Sequence, residues 1–289
     1  MSRIRQRLPD GSVVVRTYPV TFLHDRVERR CEPRWHAVTY AARGTLEVEA
    51  GGVRHLVPAD RAVVIPAGTA HTVTMRAPIA VRSIFVAAPA ARRGFERVRV
   101  VAVTPLLREL IIHACGLGAL DRRRPTQGRL AALLFDLVAS ADEVTLALPS
   151  PREPRAAQFA ALIAANPGDP RENAALARAC GASLRTLERV FRAETGVAIA
   201  TWRRRVRLFH ALRLLDGGAA VGAVASEVGY RSASAFGQAF ARQFGRSPRT
   251  ASARPGDPIT TSRRRRAAVS AGASTETRRR RRGPGRDRR

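Results

Sequence analysis

At 289 residues and 45% apolar composition, the chain is long enough for two domains, each burying its own core. All 51 basic residues are arginine against 23 acidic ones, and the net +28 divides into about +9 for residues 1–148, +9 for 149–250 and +10 for the last 39. Such a field favours polyanions, three scattered cysteines without CxxC spacing argue against a disulfide framework, and the absence of any run of about 18 apolar residues argues against a membrane span.

Met1–Arg7 lacks the apolar stretch of a signal peptide, so a cytoplasmic chain is expected. Residues 11–88 then alternate short β-rich runs with turn signals. Ser12–Arg16, Ala37–Tyr40, Thr45–Glu49, Ala62–Ile65, His71–Met75 and Val81–Val86 read as strands, separated by Arg43-Gly44, Gly51-Gly52, Pro58–Asp60 and Pro66–Gly68. That spacing predicts a sandwich or small barrel, with Arg97–Val103 as a further strand. Two helices follow: one from Thr104-Pro105 through Ala114, the other over Thr126–Ser140 with Leu130, Leu133, Leu134, Leu137 and Val138 as its apolar stripe. Residues 149–154, Pro-Ser-Pro-Arg-Glu-Pro, read as a stiff linker. Phe159, Leu162 and Ile163 mark the next helix, stopped by Asn166-Pro167-Gly168. Asp169-Pro170-Arg171-Glu172 looks like a helix start with a cap, Pro at N1 and Glu at N3. Past Pro248 the chain is Arg, Ser, Ala, Gly and Pro, a composition expected to stay disordered.

The helical half contains the same pattern twice. Leu176-Ala177 to Cys180-Gly181-Ala182-Ser183, then Leu187, Phe191 and Gly196, returns as Val224-Ala225 to Val228-Gly229-Tyr230-Arg231-Ser232, then Phe236, Phe240 and Gly245. Ala177/Ala225 and Gly181/Gly229 pair at an offset of 48 and the later positions at 49, so the second turn carries one extra residue. The Ala permits close helix approach, the Gly supplies positive φ for a sharp turn, the Ser caps the next helix, and the apolar pair pins that helix to the body. Each copy reads as a helix-turn-helix, joined by a long helix over Thr201–Leu215.

These residues resemble the DNA-binding domain of AraC/XylS-type transcription regulators over about Arg155 to Arg249. The ordered pair of units, Val224-Ala225 through Gly229-Tyr230 and Ser232 to Phe240, and the closing Phe244-Gly245-Arg246-Ser247-Pro248 carry the likeness. The N-terminal half resembles the cupin-like sensor domain that often precedes this module, through Pro66-Ala67-Gly68-Thr69-Ala70-His71, with Asp60 where a Gly usually stands. The expected ligand positions of the first cupin motif fall on Cys31, Pro33 and Ala37, so a metal-free barrel and no cofactor are expected. The implied architecture is α+β: a cupin-like effector-binding and dimerisation domain at 1–148 with two flanking helices, the linker at 149–154, a double helix-turn-helix domain at 155–250, and an Arg-rich tail at 251–289.

In such units the second helix lies in the major groove. Position in the family motif assigns base contacts to Arg185, Glu188 and Arg189 in the first unit and to Ser234 and Gln238 in the second. Arg suits guanine, Glu cytosine and Gln adenine. Ser183, Arg192, Ser232, Arg242 and Arg246 are assigned to phosphates, and the Arg203–Arg207 cluster to phosphates or solvent. Trp35, His36, Tyr40 and His71 are the candidate effector pocket, with core packing as the alternative for Trp35 and Tyr40 and hydrogen-bonded strand residues as the alternative for His36 and His71. The expected function is a ligand-responsive, sequence-specific transcription regulator that is not an enzyme. Its partners would be double-stranded DNA, an unidentified small effector, RNA polymerase and a second copy of the chain, with no membrane. A metal-dependent cupin enzyme carrying a DNA-binding domain and a non-specific nucleic-acid-binding protein are the competing readings.

Overall fold

A computed structural model describes residues 11–91, 93–144 and 146–252. The Arg-rich tail expected beyond Pro248 lies almost wholly outside the described residues.

The first half is built from β1 (Val13–Phe22), β2 (Arg26–Arg30), β3 (Trp35–Arg43), β4 (Leu46–Ala50), β5 (Val53–Val57), β6 (Arg61–Ile65), β7 (His71–Met75), β8 (Ile79–Ala87) and β9 (Arg99–Ala102). Two short strands join them, β10 (Ala119–Asp121) and β11 (Ala147–Pro149). They form two antiparallel sheets, ordered β10-β1-β8-β3-β6-β9 and β11-β5-β4-β7-β2. Strand alternation sorts the faces. Trp35, Ala37 and Ala41 of β3 enter one apolar cluster with Leu46, Val48, Val73 and Met75 from the opposite sheet. Val38, Tyr40 and Ala42 of the same strand enter a second cluster. That second cluster is completed by α1 (Pro105–Leu117) and α2 (Pro125–Ser140) through Leu107, Ile111, Leu134, Phe135 and Val138. Both helices carry Pro in their first turn, and Thr104 caps α1 by accepting the amide of Leu107. Arg99 closes the other end of α2, donating to the carbonyls of Val138 and Ala141.

All six runs expected as strands lie in or across strands, and 97–103 encloses β9. Asp60, at the tight corner before β6, takes φ +72°, a left-handed conformation that favours Gly and is tolerated by Asp.

The second half is helical: α3 (Pro154–Ala165), α4 (Asn173–Ala179), α5 (Leu184–Thr195), α6 (Ile199–Asp216), α7 (Val221–Glu227), α8 (Ala233–Phe244) and α9 (Pro248–Ser252). The expected start at Asp169–Glu172 is displaced. Asp169 does not cap a helix; its carboxylate accepts from the Arg171 amide and from the Arg171 guanidinium, and α4 begins only at Asn173. One apolar cluster runs from the space between the sheets through Leu146 and Leu148 into Phe159, Phe191, Trp202, Phe209 and Phe240. The described residues therefore belong to one compact unit.

Candidate nucleic-acid interface

The repeat seen in the sequence is a repeat in structure. In each copy a seven-residue helix, α4 or α7, precedes a twelve-residue helix, α5 or α8. The intervening turn is 180–183 in the first copy and 228–232 in the second, which accounts for the extra residue. Gly181 and Gly229 sit in those turns at φ +68° and +78°. Ser183 Oγ accepts the Thr186 amide at 3.1 Å, and Ser232 Oγ accepts the Ala235 amide at 3.2 Å, so each longer helix is capped alike. Leu187 and Phe191 of α5, and Phe236, Phe240 and Phe244 of α8, are buried.

That burial fixes what each long helix shows to solvent. On α5, Arg185, Glu188, Arg189 and Arg192 are all exposed; on α8, Ser234, Gln238 and Arg242 are exposed. The α5 row holds three guanidiniums and a carboxylate, groups that pair with guanine and cytosine edges. The α8 row has only a hydroxyl, an amide and one arginine. Ser183 and Ser232, exposed as residues, already use their oxygens as cap acceptors, and Ser183 Oγ also shares a hydrogen bond with Thr186 Oγ1 at 2.9 Å. Arg246 is half-buried and lies 3.6 Å from the Asp60 carboxylate of the β-rich half.

The Arg203–Arg207 cluster is not uniform. Arg203 is 91% buried, at 9% relative exposure, and donates to the carbonyls of Asp169 and Arg171 and to Asn173 Oδ1. A solvent role for Arg203 is thereby corrected: it anchors the loop between α3 and α4. Arg207 donates to Pro167 O at 3.0 Å and to Asp169 O at 3.2 Å, Arg205 donates to Ala147 O, and only Arg204 is exposed. The Arg171 guanidinium holds the Asp169 carboxyl down at about 2.

The four residues expected to line an effector pocket separate. A small space between the two sheets, about 10 Å³, is bordered by Tyr18, Phe22, Arg30, Thr39, His71 and Ser83 among others, so only His71 of the four reaches it. His71 Nδ1–H donates to Thr69 O at 2.8 Å, and burial pushes its pKa below the usual imidazole value, so the ring is neutral at pH 7. Trp35 is buried with the Arg16 guanidinium 4.4 Å from its ring centre. Alternation puts His36 and Tyr40 on the other face of β3. His36 Nδ1 accepts the Ala67 amide at 3.1 Å beside Phe95, and Tyr40 is buried under the helices.

Several contacts tie the two halves together. Arg213 of α6 pairs with Glu47 of β4 at 2.7 Å, and the Asp216 side chain meets the Thr45 hydroxyl. Arg61 donates to Phe244 O, and Trp202 Nε1–H donates to Pro149 O at 2.8 Å. The sequence offers no signal for these pairs, whose partners lie more than 50 residues apart.

Residues 176–254 match the family model of a helix-turn-helix domain. The HTH-type transcriptional regulator NimR of Escherichia coli K12 is 28% identical over 208 residues, 72% of this chain and 76% of that one. The HTH-type transcriptional regulator RipA of Corynebacterium glutamicum is 36% identical over 103 residues, 36% of this chain and 30% of RipA. A transcriptional regulator from Chromobacterium violaceum, described as containing an AraC-type DNA-binding domain, is 24% identical over 35% of this chain and 90% of that structure, with a TM-score of 0.33. No described helix is long and apolar enough to cross a membrane. With two capped helix-turn-helix units in tandem, residues 176–254 form a helix-turn-helix domain, and the chain is similar to HTH-type transcriptional regulators.

Proposed function

We propose that the chain is a cytoplasmic, sequence-specific regulator whose cupin-like half, residues 1–148, senses a small molecule and biases how residues 155–250 engage a promoter, with no enzymatic step. The observation that carries the reading is the pair of exposed polar rows on α5 and α8, held by identical caps over buried Phe and Leu residues. In this reading Arg185, Glu188 and Arg189 discriminate bases, Ser234 and Gln238 set register, and Ser183, Arg192, Ser232 and Arg242 hold phosphates. Arg246 joins them when it leaves Asp60. Because α5 carries the bidentate donors, the first unit supplies most of the discrimination.

The effector enters between the sheets, where His71, Arg30 and the Thr39–Ser83 hydroxyl pair give polar anchors within an apolar lining. The space there holds about one water, so a ligand must spread the sheets. Thr45 and Glu47 flank and occupy β4, a strand of the sheet that would move, and they grip α6. Ligand binding thus acts on the helical half through Glu47–Arg213 and Thr45–Asp216, provided that the two arrangements differ in ligand affinity. Leu106 and Leu117 of α1 and Leu133 of α2 are exposed, which supports a second copy packing over these helices; RNA polymerase is the machinery addressed.

Competition binding at about 0.15 M salt between a duplex selected from a random pool and a scrambled duplex tests the reading. A clear preference for the selected duplex is expected, and equal affinity would remove specific regulation. Arg189→Ala should cost about 1–3 kcal/mol on the selected site and relax preference at one base pair. A uniform loss on both duplexes would instead make Arg189 a phosphate contact.

A further inference from the structure

Between the two helix-turn-helix units lies an open cleft of about 540 Å³, bordered by the start of α4, one side of α6 and Tyr230 in the second turn. Four arginines, 171, 203, 204 and 207, face it against a single acid, Glu172. Asp169 beneath the cleft is already taken by Arg171. Arg203 and Arg207 spend their bonds on uncharged carbonyl and amide oxygens. Among the described residues, none of Arg203, Arg204 and Arg207 has a carboxylate within ion-pair distance. Positive charge therefore accumulates here with only partial neutralisation by Glu172 and Asp169, and the buried Nε of Arg203 has no hydrogen-bond partner among the described residues. An unmet donor on a 91% buried guanidinium bordering a cleft is a group still lacking its acceptor.

We propose that this cleft is a phosphate site, in which Arg204 and Arg203 bind the oxygens of a phosphodiester or phosphate ion and the Tyr230 hydroxyl donates a further hydrogen bond. The shape suits the chemistry. The Tyr230 ring packs edge-on to Phe236 at 5.5 Å, and the residue borders the cleft. Burial pushes the phenol pKa up while Arg207 and Arg204 pull it down, so at neutral pH the group is a protonated donor beside two cations. The cleft joins the first helix of one unit to the residues just before the recognition helix of the other. A backbone phosphate lying between two successive major-groove segments would reach both. This assignment rests on the DNA-reading role proposed above, and it gives that role a contact that belongs to neither recognition helix.

The test uses the full chain, with Kd measured on the selected and the scrambled duplex between 50 and 200 mM salt. Arg204 is exposed and makes no ion pair among the described residues, so Arg204→Ala should fold, as a thermal melt would verify. If the phosphate comes from DNA, Arg204→Ala reduces the slope of log Kd against log salt by about 1 on both duplexes, and Arg204→Lys restores it. Ethylating a phosphate between the two groove segments then weakens wild type and leaves Arg204→Ala unaffected. If the source is free phosphate, the DNA slope is unchanged, but inorganic pyrophosphate binds wild type and fails to bind Arg204→Ala or Tyr230→Phe. Unchanged DNA slopes together with unchanged pyrophosphate binding overturn the site. Failure of the regulatory reading is a separate result, because it shows as equal wild-type affinity for the two duplexes whatever Arg204 does.

Discussion

Gly168→Ala should displace the loop between α3 and α4 and destabilise the helical half by about 3 kcal/mol or more, with DNA binding lost in parallel. A Cβ at this position would stand 2.0 Å from the carbonyl oxygen of Glu227 and 3.2 Å from its carbon. Both are backbone atoms at the end of α7, so no side-chain rotation relieves the clash, and one chain must retreat by roughly an ångström to reach ordinary contact. The loop has little freedom to do so, since Pro167 and Pro170 stiffen it. Arg203 and Arg207 also hold it through Pro167 O, Asp169 O and Arg171 O. Gly222→Ala in α7 is the control. Nothing among the described residues lies within 4 Å of its added methyl, and its φ is not in the left-handed region, so that variant should be neutral or slightly stabilised. Urea unfolding and duplex binding on both variants check the pair of expectations. Equal behaviour of the two would show that the approach of the loop to α7 is not a constraint.

Phe191→Ala is expected to cost about 3–5 kcal/mol. Phe191 is fully buried, with its ring edge-on to Phe159 at 5.8 Å and to Trp202 at 5.6 Å. It thus joins α5 to α3 and α6 at one point. The cavity left behind cannot close easily, because Trp202 is fixed by its hydrogen bond to Pro149 O. Denaturant titration followed by tryptophan fluorescence gives the loss directly, and Phe191→Leu, which keeps most of the volume, should recover more than half of it. A cost below about 1 kcal/mol for the Ala variant would contradict the packing described.

The tandem units are legible in the sequence because each rests on local chemistry: a turn glycine that needs positive φ, a capping serine, and apolar residues four apart. Strands β3, β4 and β6 to β8 are legible through alternation and turn residues. Strand β2 is not, because Arg26-Val27-Glu28-Arg29-Arg30 holds one apolar residue among four charged ones, and its pairing with β7 comes from the fold. Strands β5, β10 and β11 also escape a reading of the sequence. The last two are three residues each and exist only as partners of β1 and β5.

Arginine is the least legible residue type. Arg203 and Arg204 are neighbours on one helix, yet one is an internal anchor and the other faces water, and nothing in composition separates them. The cleft is invisible for the same reason: Arg171 and Tyr230 are far apart in sequence and meet only in the folded chain. The expected effector residues divide because adjacent positions on a strand point to opposite faces, a rule that alone sends Trp35 and His36 apart.

The apolar interior that passes from Val48 and Val73 through Leu148 to Trp202 and Phe240 has a bearing on inheritance of damage. The β-rich and helical halves are not modules that fail one at a time. A methyl group lost deep among the strands loosens the same oily continuum that steadies the recognition helices, and so defects far from any nucleotide would still surface as silence or misrule at the promoter.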